Sequence, residues 1–334
     1  MIKQFLVIFI FILSILSIGC AYQEKQSAKA GKVTPITVEN FDGYAGDGRI
    51  FKQVFTDVPQ RVLAVSEPVV DDLIFLGIQD KIVGISACYS KNFAPYETEY
   101  AKFARLTYGS GYPSKEAVLG LQPDLIVSWG SLFGESALGS VEYWHNKGIH
   151  TYVMTNTVPT RATGRRKVEY IVNDLQQLAK IFRVEEKAQK KIAYLQSRIA
   201  KIRMHSESIA EAKKPKVITL QYFYGNEYLG RAATDLTADM IELAGGISLD
   251  DNLGGRKSVE YLVELDPDMI IVIDTVTTPV AGKIKALHEH KVLKKIKAVR
   301  NNKIFVVQHR AFYCGSERTV EAVENMHKYI EDNF

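Results

Sequence analysis

Three cysteines in 334 residues, with no CxxC pair among them, are too few for a disulfide scaffold, and seven histidines without an HExxH remove the common zinc-ribbon and zinc-hydrolase readings. An excess of one charge is also missing. Forty-two basic residues face 38 acidic ones, leaving a formal net charge of +4 and no dense basic stripe, so counterion-releasing contacts to a nucleic-acid backbone are excluded. There is no GxSxG elbow and no obvious catalytic arrangement of close-spaced carboxylates or of a Cys/His nucleophile, which leaves an enzymatic reading, such as a lipid-anchored hydrolase, without a motif. The longest apolar run, from Phe5 to Ile18, would measure about 21 Å as a helix, against a hydrocarbon core of about 30 Å. A permanent span is therefore not expected. What the chain does have is 46% apolar and 24% charged residues over a length that suggests two domains.

The apolar run follows Lys3 and ends in Ser17-Ile18-Gly19-Cys20, the layout of a secretory signal over residues 1–19. Cys20 directly after Gly19 resembles a bacterial lipobox, in which the cysteine is lipidated and becomes the mature N-terminus. The alternative is an ordinary secretory signal cut nearby. The polar tract Gln23-Glu24-Lys25-Gln26-Ser27 suits a tether, expected over 20–48. The expected product is exported and lipid-anchored to the outer face of the cytoplasmic membrane.

Beyond the tether, short β-branched runs alternate with helical patterns: 61–65, 81–85, 125–129 and 151–154, then 216–220, 269–273 and 303–307. This grammar predicts an α/β fold of two Rossmann-like lobes with parallel sheets. The expected lobes cover 49–163 and 185–334. Between them, Val168, Ile171, Val172, Leu175, Leu178, Ala179 and Phe182 recur at spacings of 3 or 4, predicting one connecting helix over 164–184. A second pattern, Ala188, Ile192, Leu195, Ile199 and Ile202, continues to Pro215. An internal repeat is the most informative feature. Ser114-Lys115-Glu116-Ala117-Val118-Leu119-Gly120-Leu121-Gln122-Pro123-Asp124 recurs without a gap as Ser258-Val259-Glu260-Tyr261-Leu262-Val263-Glu264-Leu265-Asp266-Pro267-Asp268. Each copy reads as a helix opening at a serine and stopping before a proline that leads into a buried strand.

With Val58-Pro59-Gln60-Arg61-Val62, Leu76-Gly77-Ile78 and Met240-Ile241-Glu242-Leu243-Ala244-Gly245-Gly246 in register around these units, the chain resembles the class III (helical-backbone) substrate-binding proteins of ABC importers, over roughly residues 50 to 334. That family captures ferric siderophores, haem and vitamin B12. The resemblance implies two lobes joined by one long α-helix, with ligand held between them and no catalysis. It implies as partners an ABC permease dimer with its ATPase subunits and a small-molecule metal chelate, the membrane being reached through lipidated Cys20. Nucleic acid is not among them, a monomer is expected, and no intrinsic cofactor is implied. It further implies that Glu116 and Glu260 dock on the permease; two separated carboxylates can read a two-fold partner, and each also complements the macrodipole of its own helix.

In open α/β lobes ligands bind beyond the carboxyl ends of the strands. Those positions are aromatic and basic here: Tyr89, Trp129, Tyr222, Tyr224, His309, Arg310 and Tyr313, with Tyr108, Tyr112 and Arg231 in nearby loops. Aromatic faces and planar guanidinium groups suit a bulky, anionic, oxygen-rich iron(III)-siderophore chelate. An aromatic cleft also accepts haem or a corrinoid, and a sensory lipoprotein on the same fold is a further reading. His309 and Tyr313 carry donors suited to iron, for direct ligation or for hydrogen bonding to the chelate. Cys88 and Cys314 follow strands of opposite lobes, as free thiols or as a bridge between them.

Overall fold

The computed structural model describes residues 34–44, 47–90, 92–107, 111–251 and 254–334. Cys20, the signal segment and Tyr108 lie outside these residues. The described chain forms two compact bodies, a small one of 34–37 and 54–57 and a large one of 38–53 and 58–334. The large body holds both lobes.

In the first lobe, β3 (Val62–Val65), β4 (Ile82–Ser86), β5 (Leu125–Ser128) and β6 (His150–Val153) form a parallel sheet in the order β4-β3-β5-β6. They are preceded by strands β1 (Ile36–Phe41) and β2 (Ile50–Phe55). The first of these falls within the stretch expected to be tether. Side-chain amides cover the open edge of β6: Asn40 Nδ2 donates to Val153 O at 3.1 Å while Asn40 Oδ1 accepts from Val153 N at 2.7 Å, and Gln53 Nε2 donates to Thr151 O at 2.6 Å. An edge paired in this way offers no template to another chain.

The second lobe repeats the plan. Its strands β7 (Lys216–Leu220), β10 (Ile247–Ser248), β12 (Met269–Asp274) and β13 (Ile304–Gln308) run parallel in the order β10-β7-β12-β13, the same permutation as the first sheet. A separate antiparallel sheet of β8 (Tyr222–Tyr224), β9 (Glu227–Gly230) and β11 (Gly255–Ser258) flanks it. All seven strand runs read from the β-branched pattern are strands of the two parallel sheets, within a residue or so at each end.

The internal repeat is structural down to its hydrogen bonds. Helices α2 (Lys115–Gly120) and α6 (Val259–Leu265) are both capped by serine: Ser114 Oγ accepts from Ala117 N at 3.2 Å, and Ser258 Oγ from Tyr261 N at 3.4 Å. The residue before each proline is left-handed, Gln122 at φ 48° and Asp266 at φ 37°, because the proline ring denies it the helical region. The aspartate after each proline then clamps the start of the neighbouring strand. Asp124 accepts from Gln60 N at 2.7 Å and Arg61 N at 2.9 Å, and Asp268 from Lys216 N at 2.8 Å. Pro-Asp thus sets where each central strand pair begins.

The connection between lobes differs from the single rod expected over 164–184. Helix α3 (Glu169–Ile181) begins five residues later, because the amides ahead of it are held by side chains and carbonyls of both lobes: Lys167 N by Asn156 Oδ1, Arg166 N by Thr234 O and Val168 N by Asp239 Oδ2. Its stripe of Ile171, Val172, Leu175, Leu178 and Ala179 is buried as the spacing predicts. Asp174, fully buried, fastens it to the first lobe through Tyr152 Oη at 2.8 Å and Thr155. After Arg183 in the left-handed region, α4 (Glu185–Ser208) runs for 24 residues, about 36 Å. It packs between α3 and the C-terminal helix α8 (Glu317–Asn333), and α8 also lies against α1 (Glu67–Leu76) of the first lobe. No helix among the described residues is long and apolar enough to cross a membrane.

Candidate ligand-binding site

The carboxyl ends of the two parallel sheets deliver aromatic rings to one place. Tyr89 and Trp129 come from the first lobe and stack at 5.9 Å with an interplanar angle of 10°. His309 and Tyr313 come from the second, stacked at 5.5 Å and 16°. The two pairs touch: Tyr89 to His309 is 4.7 Å between centroids, Trp129 to His309 6.0 Å and Trp129 to Tyr313 4.4 Å. Trp129 Nε1 also donates to Cys314 Sγ at 3.0 Å, and Val276 N donates to Tyr89 O at 2.8 Å. Cys88 and Cys314 are both buried free thiols, and burial pushes the Cys88 thiol up to about 12.

Cations border the rings. The Arg231 guanidinium lies over Phe312 at 5.3 Å and Tyr313 at 5.5 Å, oriented by Asp235 at 2.8 Å and by Gln221 Oε1 at 3.0 Å. Its Nε, buried, has no hydrogen-bond partner among the described residues. Lys283, on the helix Val280–Glu289, crosses the Tyr222 ring at 5.1 Å and donates to Ile273 O. Burial pulls the Lys283 ammonium down to about 8, with Asp274 opposing the shift. His309 is almost fully enclosed, and desolvation, together with Arg231 and Lys283, lowers it to about 3. The imidazole is therefore neutral at physiological pH, and its Nδ1 has no hydrogen-bond partner among the described residues. The site combines flat apolar surface, two flanking cations and an uncommitted imidazole nitrogen, which suits an oxygen-rich anion with aromatic or planar faces.

Beneath the rings lies a buried polar base that crosses the lobes. Arg310, 1% exposed, donates from Nε to Asp71 Oδ2 at 3.0 Å and from a terminal nitrogen to Asn92 O at 3.1 Å. Tyr100 Oη donates to Asp71 Oδ1 at 2.9 Å, Glu317 N donates to Asp72 at 3.2 Å, and Glu67 accepts the Tyr89 and Ser90 amides. Burial raises the carboxyl groups of Glu67, Asp71, Asp72 and Glu317, with their mutual repulsion adding at Asp71 and Asp72. Arg310 was expected at the ligand. The helical turn His309–Phe312 points it the other way, toward α1, and the guanidinium is committed to Asp71.

The other expected residues fall as follows. Trp129, Tyr89, His309, Tyr313 and Arg231 converge; Tyr222 is linked to them through Lys283, whose charge acts on His309. Tyr224 is exposed at the end of β8 in the β8–β9 hairpin, with the Arg256 guanidinium 4.1 Å above its ring and the Tyr222 ring 6.1 Å away. Glu116 and Glu260 are exposed in the first turns of α2 and α6, and the Glu116 carboxyl is held below its ordinary value by its own backbone amide, with the Ser114 hydroxyl second. Sequence reasoning passed over Lys283 and the acids of α1. The signal existed: Lys283 stands at helical spacing between Val280 and Leu287, on the buried stripe, and Asp71 and Asp72 interrupt the apolar run Val69 to Leu76, with Glu67 just ahead of it.

A sequence profile of the family described as periplasmic binding protein matches residues 62–311. No curated protein matches the sequence. Among solved structures the chain is similar to a periplasmic binding protein from Veillonella parvula DSM 2008, at 21% identity over 90% of this chain and 92% of that one, with a TM-score of 0.74. It is similar to an ABC-type Fe3+-hydroxamate transport system from Saccharomonospora viridis DSM 43017, at 19% identity over 89% and 99%, TM-score 0.71. It is also similar to the apo form of a periplasmic haem-binding protein from Roseiflexus sp. RS-1, at 16% identity over 82% and 98%, TM-score 0.66. With three quarters of its length inside the family profile and the two-lobed architecture throughout, the chain belongs to the periplasmic binding protein family of ABC transport, whose members are substrate-binding proteins rather than enzymes and work outside the cytoplasm.

Proposed function

We propose that the protein captures an iron(III)-siderophore chelate between its lobes and delivers it to the permease of an ABC importer, as a monomer tethered to the membrane through lipidated Cys20 and without a cofactor of its own. The observation that carries the reading is the meeting of Tyr89, Trp129, His309 and Tyr313 at the carboxyl ends of both sheets, with Arg231 and Lys283 beside them. Rings supply stacking area to the chelate's organic arms; the two cations complement its anionic oxygens. The Fe3+-hydroxamate transport relative supports this class of ligand. Haem is the second reading, favoured by the neutral His309 with its open Nδ1 and by the haem-binding relative. Glu116 and Glu260, exposed on twin helices, dock on the permease in this proposal.

Titration of intrinsic fluorescence with ferric hydroxamates, ferric catecholates, ferric citrate, haem and cobalamin tests it. Trp129 is in the ring cluster, whereas Trp144 is fully buried with Nε1 donating to Leu138 O at 3.0 Å. Saturable quenching by one iron chelate class, abolished in Trp129→Phe and weakened in Arg231→Ala, is expected. A Soret band on haem addition, lost in His309→Ala, would transfer the assignment to haem. Failure of every ligand with a folded protein refutes the proposal. A Glu116→Ala, Glu260→Ala double variant should bind normally and lose uptake.

A further inference from the structure

A group of metal-ligating side chains lies on elements that the ligand site does not use. His205 is in the last turn of α4, and His327 and Glu331 stand one turn apart on α8, where the two helices pack. Their three candidate ligand atoms lie within 4.8 Å of one another. His327 is the built member: 6% exposed, with Nδ1 at 2.9 Å from the carbonyl of Ala244 at the end of α5 (Leu236–Leu243). A carbonyl only accepts, so Nδ1 carries a hydrogen, and in the neutral ring that leaves a lone pair on Nε2. Nε2 is buried and has no hydrogen-bond partner among the described residues. Orientation of one ring nitrogen by a backbone carbonyl, with the other left for the ion, is how metal-binding histidines are usually held.

The geometry points to a site for a divalent first-row transition ion, of which zinc is the type case, held by His205, His327 and Glu331. Ligand atoms about 2.1 Å from a tetrahedral ion are about 3.4 Å apart. His327 Nε2 and Glu331 Oε1 already stand at 3.4 Å. The His205 ring, 5.9 Å from that of His327 between centroids, belongs to an exposed side chain whose rotation closes the remaining gap of at most about 1.4 Å. Two imidazoles and one carboxylate select zinc, cobalt, nickel or copper over magnesium or calcium, which prefer all-oxygen sets. Three protein ligands leave a coordination position open for water or for a donor from a partner. The ion would pin α4 to α8, the two helices that lie behind the junction of the lobes.

The test is titration of tag-free, full-length protein with Co2+, read as ligand-field absorption, and with Zn2+ by calorimetry and by displacement of the cobalt. A saturable one-to-one site is expected, weakened at least about tenfold in His327→Gln and about as much in His205→Gln and in Glu331→Gln. His205 and Glu331 are exposed, so their substitutions leave the packing intact even if His327→Gln disturbs it. Absence of saturable binding overturns the inference. So does binding of unchanged strength and stoichiometry in a His205→Gln, Glu331→Gln double variant, since the ion would then be held elsewhere. Because the readout involves no chelate, the result is independent of the proposed transport role.

Discussion

Removing Asp71 should damage this protein far more than removing its partner Arg310. The pair is sealed, with side-chain exposures of 2% for Arg310 and 0% for Asp71. In Asp71→Ala the guanidinium keeps Asn92 O at 3.1 Å but loses its counter-charge, and a guanidinium cannot shed its proton to escape. Breaking a buried pair from one side costs about 3–5 kcal/mol. At about 2.1 cal/mol/K per residue over about 300 residues, each kcal/mol is worth about 1.6 °C, so a fall in Tm of about 5–8 °C is expected. In Arg310→Met the survivor is a carboxyl that burial and the nearby Glu317 already push upward, so it can take up a proton. Its loss should then be about 1–3 kcal/mol at pH 7. The sign with pH follows: a raised carboxyl favours the fold while protonated and loses that contribution as pH rises, so the Arg310→Met deficit should shrink from pH 7 to pH 5. Urea unfolding followed by circular dichroism at both pH values measures this. An Asp71→Ala cost below 1 kcal/mol, or an Arg310→Met deficit that does not change with pH, would refute the reasoning.

Other consequences are equally open to measurement. Lys283 carries its charge below about pH 8, so affinity for an anionic chelate should weaken as pH rises through 8, and Lys283→Met should weaken binding at pH 7 and flatten that profile. Asp250, bonded to Thr219 and raised to about 7 by burial, contributes stability that is complete below the ordinary carboxyl range near pH 4 and lost as pH rises through 7. Asp250→Asn keeps an acceptor for the Thr219 amide, and thermal scans from pH 5 to pH 8 should show a smaller decline than in the parent protein.

The lobes were legible because each central strand is a short run of β-branched residues and because the Ser, Glu, Pro and Asp of the repeat act locally, as cap, first-turn acid, helix stop and strand clamp. The onset of α3 was not, since the amides of Arg166, Lys167 and Val168 are bound by Thr234, Asn156 and Asp239, residues remote in sequence. For Arg310 the sequence shows only that it follows β13; its direction depends on Asp71, 239 residues away. A like distance hid the purpose of Asp72 in α1, whose partner is the amide of Glu317. Tyr224 followed a strand as expected, but the chain there turns into the hairpin of β8 and β9, which carries it to solvent.

The rings that meet between the lobes fill the cleft with the protein's own side chains. Contacts of Tyr89 with His309, and of Trp129 with His309 and Tyr313, at about 0.5–1.5 kcal/mol each, oppose parting by about 1.5–4.5 kcal/mol. An opening populated about one time in ten to one in two thousand lowers every apparent affinity by that factor. In the proposed role, a chelate that stacks on the freed rings would recover the loss, whereas a small solute without flat faces would not. Discrimination against the wrong cargo would then begin with what the protein forfeits by opening, before any contact with the metal centre is made.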